Sequence, residues 1–307
     1  MNPLPAHRYQ FNCQVLDPLK FNLYAGSMLR GAFGKALRKL ACVTHMQDCK
    51  ACLLYRQCSY TKIFETPPPL HTPFQEFSQI PNPFVLEPPP MGCKELAPGD
   101  HFSFNLVLMG QALTHLPIII YALQTALHSG LGPTYAKAKL LDVVFEPGQA
   151  IAQIIYPIGK EASLLPSPAF SPEPCAATGT INIELLTPLR IQQKGRVLST
   201  NLQAKDFLLA LVRRYYFLQE FYAQQYQAPD FKQLSHQAQQ VQIQHNLQWC
   251  EWQRYSNRQQ QKMIFGGVVG ELELSGDLTP FLPLLVQGQW LHVGNKTTFG
   301  MGHYRLV

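Results

Sequence analysis

Four cysteines stand close together early in the chain. Cys42, Cys49, Cys52 and Cys58 read C-x6-C-x2-C-x5-C in "CVTHMQDCKACLLYRQC". Thiolates are soft ligands, and four in one short insert can close a tetrahedral metal site. An insert of this size, residues 42–60, has little core of its own, so a bound metal would supply its folding free energy. The favoured reading is structural zinc, with unligated thiols and an iron–sulfur cluster as the alternatives. His45 lies inside the insert and could compete as a ligand. Cys13, Cys93, Cys175 and Cys250 are isolated and read as small buried side chains.

A second stretch, "LHVGNKTTFGMGHYRLV", ends the sequence. Gly294, Gly300 and Gly302 bracket Lys296, Thr297 and Thr298. Glycine tolerates positive φ and lets another backbone come close. A Gly-rich turn whose N–H groups point outward can hold an anion, usually a phosphate. The plainer alternative is a tight turn before a last strand. No G-x-x-x-x-G-K-[ST] can be read there, so it is not a Walker loop.

A third feature is the run "SMLRGAFGKALRKLA". At helical spacing Leu29, Phe33, Ala36, Leu37 and Leu40 share one arc, and Arg30, Gly31, Gly34, Lys35, Arg38 and Lys39 share the other. Glycine inside a helix costs roughly 1 kcal/mol against alanine. Close packing, or the approach of a ligand backbone, would offset that; a solvated basic face is the alternative. Further cations gather in "TPLRIQQKGR" (Arg190, Lys194, Arg196), in "QRYSNRQQQK" (Arg254, Arg258, Lys262) and at Arg213 and Arg214. Each cluster alone is ordinary surface. Together with the terminal loop they could line one groove, with Tyr and Trp nearby to stack on bases. The aromatic signature of the RNA-recognition motif is not present, so RNA would use loops and helix faces.

These groups must be held by a scaffold, and the hydrophobic periods describe one. "AHRYQFNCQVL" reads as a strand, followed by a helix over about 27–41 with Ser27 as N-cap. A short strand near Pro83–Glu87 emerges from a Pro-rich stretch. "HFSFNLVLM" alternates with period two, Thr114 caps a helix over 115–129 ended by Gly130, and "AKAKLLDVVFE" is a strand. Residues 157–178, rich in Pro, Ser and Ala, read as a linker. The second half repeats the order: "GTINIELLTPLRI", a helix in "KDFLLALVRRYYFLQEFYAQQY", strands in "VQIQHNLQW" and "VVGELELSG", a short helix "TPFLPLLVQG", and "GHYRLV". The expected class is α+β, with tandem ferredoxin-like (βαββαβ) domains over 1–156 and 179–307. That fold names no function.

The 307 residues allow two domains, and 46% hydrophobic content is globular. A formal charge of +6 is compatible with an anionic partner. No apolar signal region is visible in "MNPLPAHRYQF", and "LPIIIYALQTAL" is too short to span a bilayer. The expectation is a cytoplasmic protein without membrane contact. Its cysteines would be reduced, which favours metal ligation over disulfides.

Taken together, the tandem halves and the terminal Gly-rich loop resemble the CRISPR-associated repeat-processing endoribonucleases of the RAMP superfamily. "LRGAFGKALRKLAC", the Cys pattern leading into "IFETPPP", and "TPLRI" resemble the branch with a Cys-rich N-terminal insert. The family's loop is G-x-G-x5-G-x-G; Gly294, Gly300 and Gly302 match, and His292 replaces the first glycine. The resemblance implies cleavage of precursor CRISPR RNA once per repeat, with no cofactor for catalysis. The implied chemistry is attack by a ribose 2′-OH, leaving a 2′,3′-cyclic phosphate and a 5′-OH. Such a reaction needs a base, an acid and cations on the phosphorane. Relatives carry a His on or near the first helix, where this sequence has Lys35. Lys35 and Tyr24 are therefore expected as proton-transfer or electrostatic groups, Arg30 as a phosphate clamp, and His45 as the alternative acid or base. Gly294, Lys296, Gly300, Gly302, Arg190, Lys194, Arg196, Arg38, Lys39 and Arg258 are the expected RNA contacts. Partners would be CRISPR repeat RNA and other CRISPR-associated proteins. The rivals are a non-cutting RNA-binding RAMP subunit of an effector complex and a small-molecule-binding ferredoxin-like regulator.

Overall fold

Buried and half-buried positions alternate along β1 (Ala6–Val15) from Tyr9 on, with Tyr9, Phe11, Cys13 and Val15 turned inward. That alternation places β1 inside a sheet with one face on a core. The computed structural model describes residues 4–68, 80–146, 153–156, 179–223, 225–256 and 261–307. After β1 the N-terminal half runs α1 (Gly26–Ala41), α2 (Ser59–Phe64), β2 (Phe84–Glu87), β3 (His101–Met109), α3 (Leu116–Ser129), β4 (Ala138–Glu146) and β5 (Gln153–Tyr156). The C-terminal half runs β6 (Thr180–Leu189), α4 (Ala204–Tyr222), α5 (Phe231–Gln240), β7 (Gln242–Ser256), β8 (Gln261–Ser275), α6 (Leu282–Leu291) and β9 (Tyr304–Leu306).

The first sheet has the order β2-β3-β1-β4-β5 and the second β7-β8-β6-β9, all neighbours antiparallel. Setting β5 aside, both read second-third-first-fourth. That is the split-βαβ order, so the tandem ferredoxin-like architecture expected from the sequence is the observed one. Register follows the pleat: Phe11 faces Phe104, and their rings stack 5.1 Å apart.

Phe33, Leu37, Phe104, Ile119 and Leu123 belong to the core of the first half. Phe207, Leu211, Tyr215, Leu285 and Tyr304 belong to that of the second. Val85, Val107 and Met109 join this second core, because β2 and β3 bury their other face against the C-terminal half. A small third cluster of Tyr24, Trp252, Phe265 and Met301 completes the seam. The halves are therefore packed together by apolar surface.

Several local expectations need correction. Ser27 lies within the first turn of α1, which starts at Gly26 without a side-chain cap. Thr114 lies in a 3-10 turn, where its hydroxyl donates to the Gln111 carbonyl, and α3 starts at Leu116. Gly130 ends α3 as expected, at φ 103°. Helix α5 was not foreseen, although Asp230 caps it by accepting from the N–H groups of Lys232 and Gln233. The expected linker at 157–178 lies outside the described residues. No described helix is long and apolar enough to cross a membrane.

Candidate active site

The terminal loop is held by its own backbone. His292, Gly294, Lys296, Gly300 and Gly302 all have positive φ, from 58° at His292 to 88° at Gly300. The N–H groups of Asn295, Gly302 and Gly300 donate to the carbonyls of Arg190 (2.7 Å), Pro188 (3.0 Å) and Thr297 (2.8 Å). The Thr187 hydroxyl and the Tyr24 phenol donate to the carbonyls of Gly300 and Phe299, each at 2.7 Å. A Cβ at Gly300 would stand 2.5 Å from the Leu86 carbonyl oxygen, so only glycine fits there. The back of the loop is sealed against β2, while Asn295 and Lys296 are exposed at its tip.

Arg30 joins α1 to this tip. Its Nε donates to Thr298 Oγ1 at 3.2 Å. Its guanidinium lies 4.4 Å from the Phe299 ring centre and 4.9 Å from that of Phe64. Stacking on rings leaves a planar cation oriented for an anion. Lys296 stands on the loop side, Nζ 5.5 Å from the Phe265 ring centre. Both border a cleft of about 1670 Å³ between the halves. Its lining holds six cations (Arg30, Lys50, Lys205, Arg213, Arg214, Lys296) against three acids (Glu65, Asp206, Glu220). Burial lowers Arg214 to about 10, which leaves it charged at neutral pH, and its Nε donates to the Leu291 carbonyl at 3.3 Å.

Behind the loop lies a cluster that sequence reasoning missed. Glu87, at the end of β2, is 2% exposed. Its Oε2 accepts from Arg8 Nη2 at 2.6 Å and from Asn105 Nδ2 at 3.0 Å. Its Oε1 lies 3.4 Å from His292 Nε2. The His292 ring stacks on His303 with centroids 4.5 Å apart, and its Nδ1 lies 3.1 Å from the Met301 carbonyl. Burial pushes the Glu87 carboxyl up, but the His292 hydrogen bond and the Arg8 charge outweigh it and bring it to about 2. Burial, then the neighbouring His292, lowers His303 to about 3. Glu87 is thus charged and His303 neutral at pH 7. His292 has φ 58° and ψ 165°, a conformation seldom adopted by side-chain-bearing residues. The buried contacts hold it there, so the cluster locks the loop to the N-terminal sheet. Among the described residues, Glu87, His292 and His303 are also the one set of three metal-type ligands with donor atoms within 4.8 Å. Arg8 binds Oε2 of that carboxylate, Oε1 lies against His292, and the two imidazole rings stack 7° from parallel. The sequence signal was Glu87 itself, the one charge in the otherwise apolar strand "FVLE".

Of the expected site residues, Arg30, Lys296 and Gly294 border the cleft. Tyr24 must be corrected. Its phenol is 5% exposed and spent on the Phe299 carbonyl, its ring stands 4.7 Å from Trp252, and burial raises its pKa well above 10. It braces the loop and is closed off from a substrate. Gly300 and Gly302 are buried against backbone and shape the loop. Arg38 donates to the carbonyls of Met46 and Gln47, each at 2.8 Å, and so holds the Cys insert. Arg190 supports the loop through its carbonyl and donates from Nη1 to the Gly266 carbonyl at 2.7 Å. Lys194 and Arg196 are exposed on a hairpin whose Gln192 and Gln193 border the cleft. Lys35 and Lys39 are exposed on α1, and neither belongs to the cleft lining. His45, with φ 55°, is exposed in the insert, also outside that lining. Arg258 lies outside the described residues. The α1 glycines divide: a Cβ at Gly34 would meet Phe64 at 2.8 Å, whereas one at Gly31 would meet nothing within 4 Å.

Cys42, Cys49, Cys52 and Cys58 all border one pocket of about 220 Å³. No three of their sulfurs lie within 4.8 Å of one another. Thr44 Oγ1 is 3.2 Å from Cys52 Sγ, and the Cys58 thiol donates to the Ala41 carbonyl at 3.8 Å.

Comparison with known proteins accounts for both halves. Residues 4–168 match the AF_1859_N N-terminal domain family, and residues 183–304 match the family of CRISPR-associated endoribonuclease Cas6. No curated protein matches the chain. Among solved structures, Cas6 from Thermus thermophilus aligns with a TM-score of 0.57 at 15% identity over 99% of both chains. A Cas6 product complex aligns at 0.59 and 16% identity, covering 98% of this chain and 100% of that one. A Cas6-related protein from Pyrococcus furiosus aligns at 0.51 and 10% identity over 98% of both. These structural likenesses establish the fold, and the family matches go further: residues 4–168 belong to the AF_1859_N domain family and residues 183–304 to the family of CRISPR-associated endoribonuclease Cas6, so the protein is an endoribonuclease that acts on CRISPR RNA.

Proposed function

We propose that the chain cuts precursor CRISPR RNA within its repeats by in-line attack of a ribose 2′-OH on the adjacent phosphate, without a catalytic metal. The 2′-O–P bond forms as the P–O5′ bond breaks. A base takes the 2′ proton and an acid returns one to O5′, leaving a 2′,3′-cyclic phosphate and a 5′-OH. The observation that carries this reading is the Arg30–Thr298 contact, which sets a stacked guanidinium on the same cleft lining as Lys296. Two cations there would stabilise the charge that builds on the phosphorane. Gly31, one residue from Arg30, leaves its face of α1 open, so a sugar–phosphate strand can cross the helix there. Lys35, one turn from Gly31 on α1 and outside the cleft lining, is the proton-transfer group in this reading, reached by the strand as it leaves the cleft over Gly31. The wider lining supplies cations for phosphates and rings such as Tyr55 and Phe217 for bases.

The fold is shared with a Cas6-RT-Cas1–Cas2 complex, matched over 100% of this chain and 46% of that one at a TM-score of 0.55 and 15% identity. That likeness supports association with other CRISPR-associated proteins, and the chain would work in the cytoplasm.

A second reading keeps the RNA and drops the cutting, because no histidine belongs to the described cleft lining. One assay separates the two. Repeat RNA is incubated with the protein in EDTA, beside the same RNA with one 2′-deoxy at the scissile nucleotide. Cleavage of the first and sparing of the second is expected. Binding with no cleavage of either would favour the non-cutting subunit, and cleavage of both would refute attack by the 2′-OH.

A further inference from the structure

The Cys insert has almost no hydrophobic support of its own. Leu53 is 99% exposed and Val43 77%. Yet its four cysteines surround one pocket, whose lining includes Met46, Leu54, Tyr55 and Tyr60 and not one charged side chain. A zinc ion with Zn–S bonds of about 2.3 Å draws its four sulfurs to about 3.8 Å from one another. These sulfurs stand wider, with no three inside 4.8 Å. In a four-iron cluster each thiolate binds a different corner of the cube, so its ligand sulfurs stand apart around a bulky inorganic core. An uncharged, partly apolar shell suits such a core.

We propose that Cys42, Cys49, Cys52 and Cys58 ligate a [4Fe–4S] cluster that pins the insert to α1 and holds Lys50 at the rim of the RNA cleft. Each thiol gives up its proton on ligation, and no redox step is required. Arg38 supplies the outer clamp: it donates to the Met46 and Gln47 carbonyls and lies 5.7 Å from the Tyr60 ring centre, where its charge offsets that of the thiolates. Tyr55 borders both the Cys pocket and the cleft, and Lys50, between Cys49 and Cys52, borders the cleft. The cluster itself is independent of the cleavage reading, whereas the role of Lys50 rests on it.

The test is anaerobic purification of the full chain, with assays for iron, acid-labile sulfide and zinc and spectra before and after dithionite. About four iron and four sulfide per chain are expected, with a visible band that dithionite bleaches. Cys49→Ser with Cys52→Ser should lose both elements, and Cys93→Ser should keep them. About one zinc without sulfide, or a chain free of metal, overturns the proposal even if the double variant fails to fold. Destroying the cluster oxidatively in wild-type protein should weaken repeat-RNA binding about tenfold, the loss of one good contact. Unchanged affinity would remove the link to Lys50. Iron and sulfide in a protein that never bound RNA would refute the cleft reading and leave the cluster standing.

Discussion

Replacing Gly31 and Gly34 in turn by alanine asks what each glycine of α1 is for. Alanine is favoured over glycine inside a helix by roughly 1 kcal/mol. At Gly31 the new methyl meets nothing within 4 Å, so the variant should gain about that amount. At Gly34 the methyl would stand 2.8 Å from the Phe64 ring. That ring cannot retreat easily: Phe33, Phe84 and Tyr60 lie 5.1, 5.0 and 5.6 Å from it, centre to centre. Overpacking costs about 1–3 kcal/mol, which cancels or exceeds the helical gain. The variants should differ by about 2 kcal/mol, or about 4–8 °C in Tm, with Gly31→Ala the more stable. RNA binding should run the other way for Gly31, because a strand crossing α1 there would lose its closest approach. Gly31→Ala should bind repeat RNA more weakly than wild type, and Gly31→Leu more weakly still. Calorimetry and filter binding read the two quantities separately. A Gly34→Ala that stabilises as much as Gly31→Ala refutes the packing argument. A Gly31→Leu that binds RNA normally refutes the crossing.

Arg30→Ala should lower kcat about 100-fold at saturating RNA, the scale for losing one preorganised donor, and Arg30→Lys should not restore it, because an ammonium neither stacks nor forks; single-turnover cleavage reads this. Lys296→Ala should weaken binding to all repeats alike and reduce the salt slope by about one; an unchanged slope would take Lys296 out of the interface. Glu87, lowered to about 2 from 4.5, contributes stability that is present above pH 4.5 and lost as pH falls towards 2. His303, lowered to about 3 from 6.5, stays neutral in the fold while the unfolded chain takes up a proton, so stability also falls from pH 6.5 downward. Stability should therefore fall between pH 6.5 and 4.5, by at most about 1.4 kcal/mol per pH unit for one proton, with Tm falling accordingly, and His303→Gln should flatten that part of the curve.

The third strand was legible because Phe102, Phe104 and Leu106 are buried while His101, Ser103 and Asn105 between them are less so. Helix α5 escaped because "FKQLSHQAQQ" buries only Ala238. The start of α1 is set by tertiary contact, since a Cβ at Gly26 would strike the Phe299 carbonyl, and no local cap announces it. Gly34 was placed on the open face for the same reason, because its partner Phe64 arrives from beyond the Cys insert. The loop glycines were recognised, but their partners are carbonyls of Leu86, Arg190 and Val293, so their task is to shape the loop. The Glu87–His292 contact joins residues 205 apart, a separation at which no spacing carries a signal. Arg30 stood out as a cation among glycines, and the structure adds its seat between two rings.

The most direct measurement is a crystal structure of the protein with a repeat RNA carrying one 2′-deoxy at the scissile nucleotide. The strand is expected across Gly31, with the scissile phosphate in hydrogen-bond reach of Arg30 and Lys296. An RNA seated on another face, with that phosphate remote from both cations, would contradict the account.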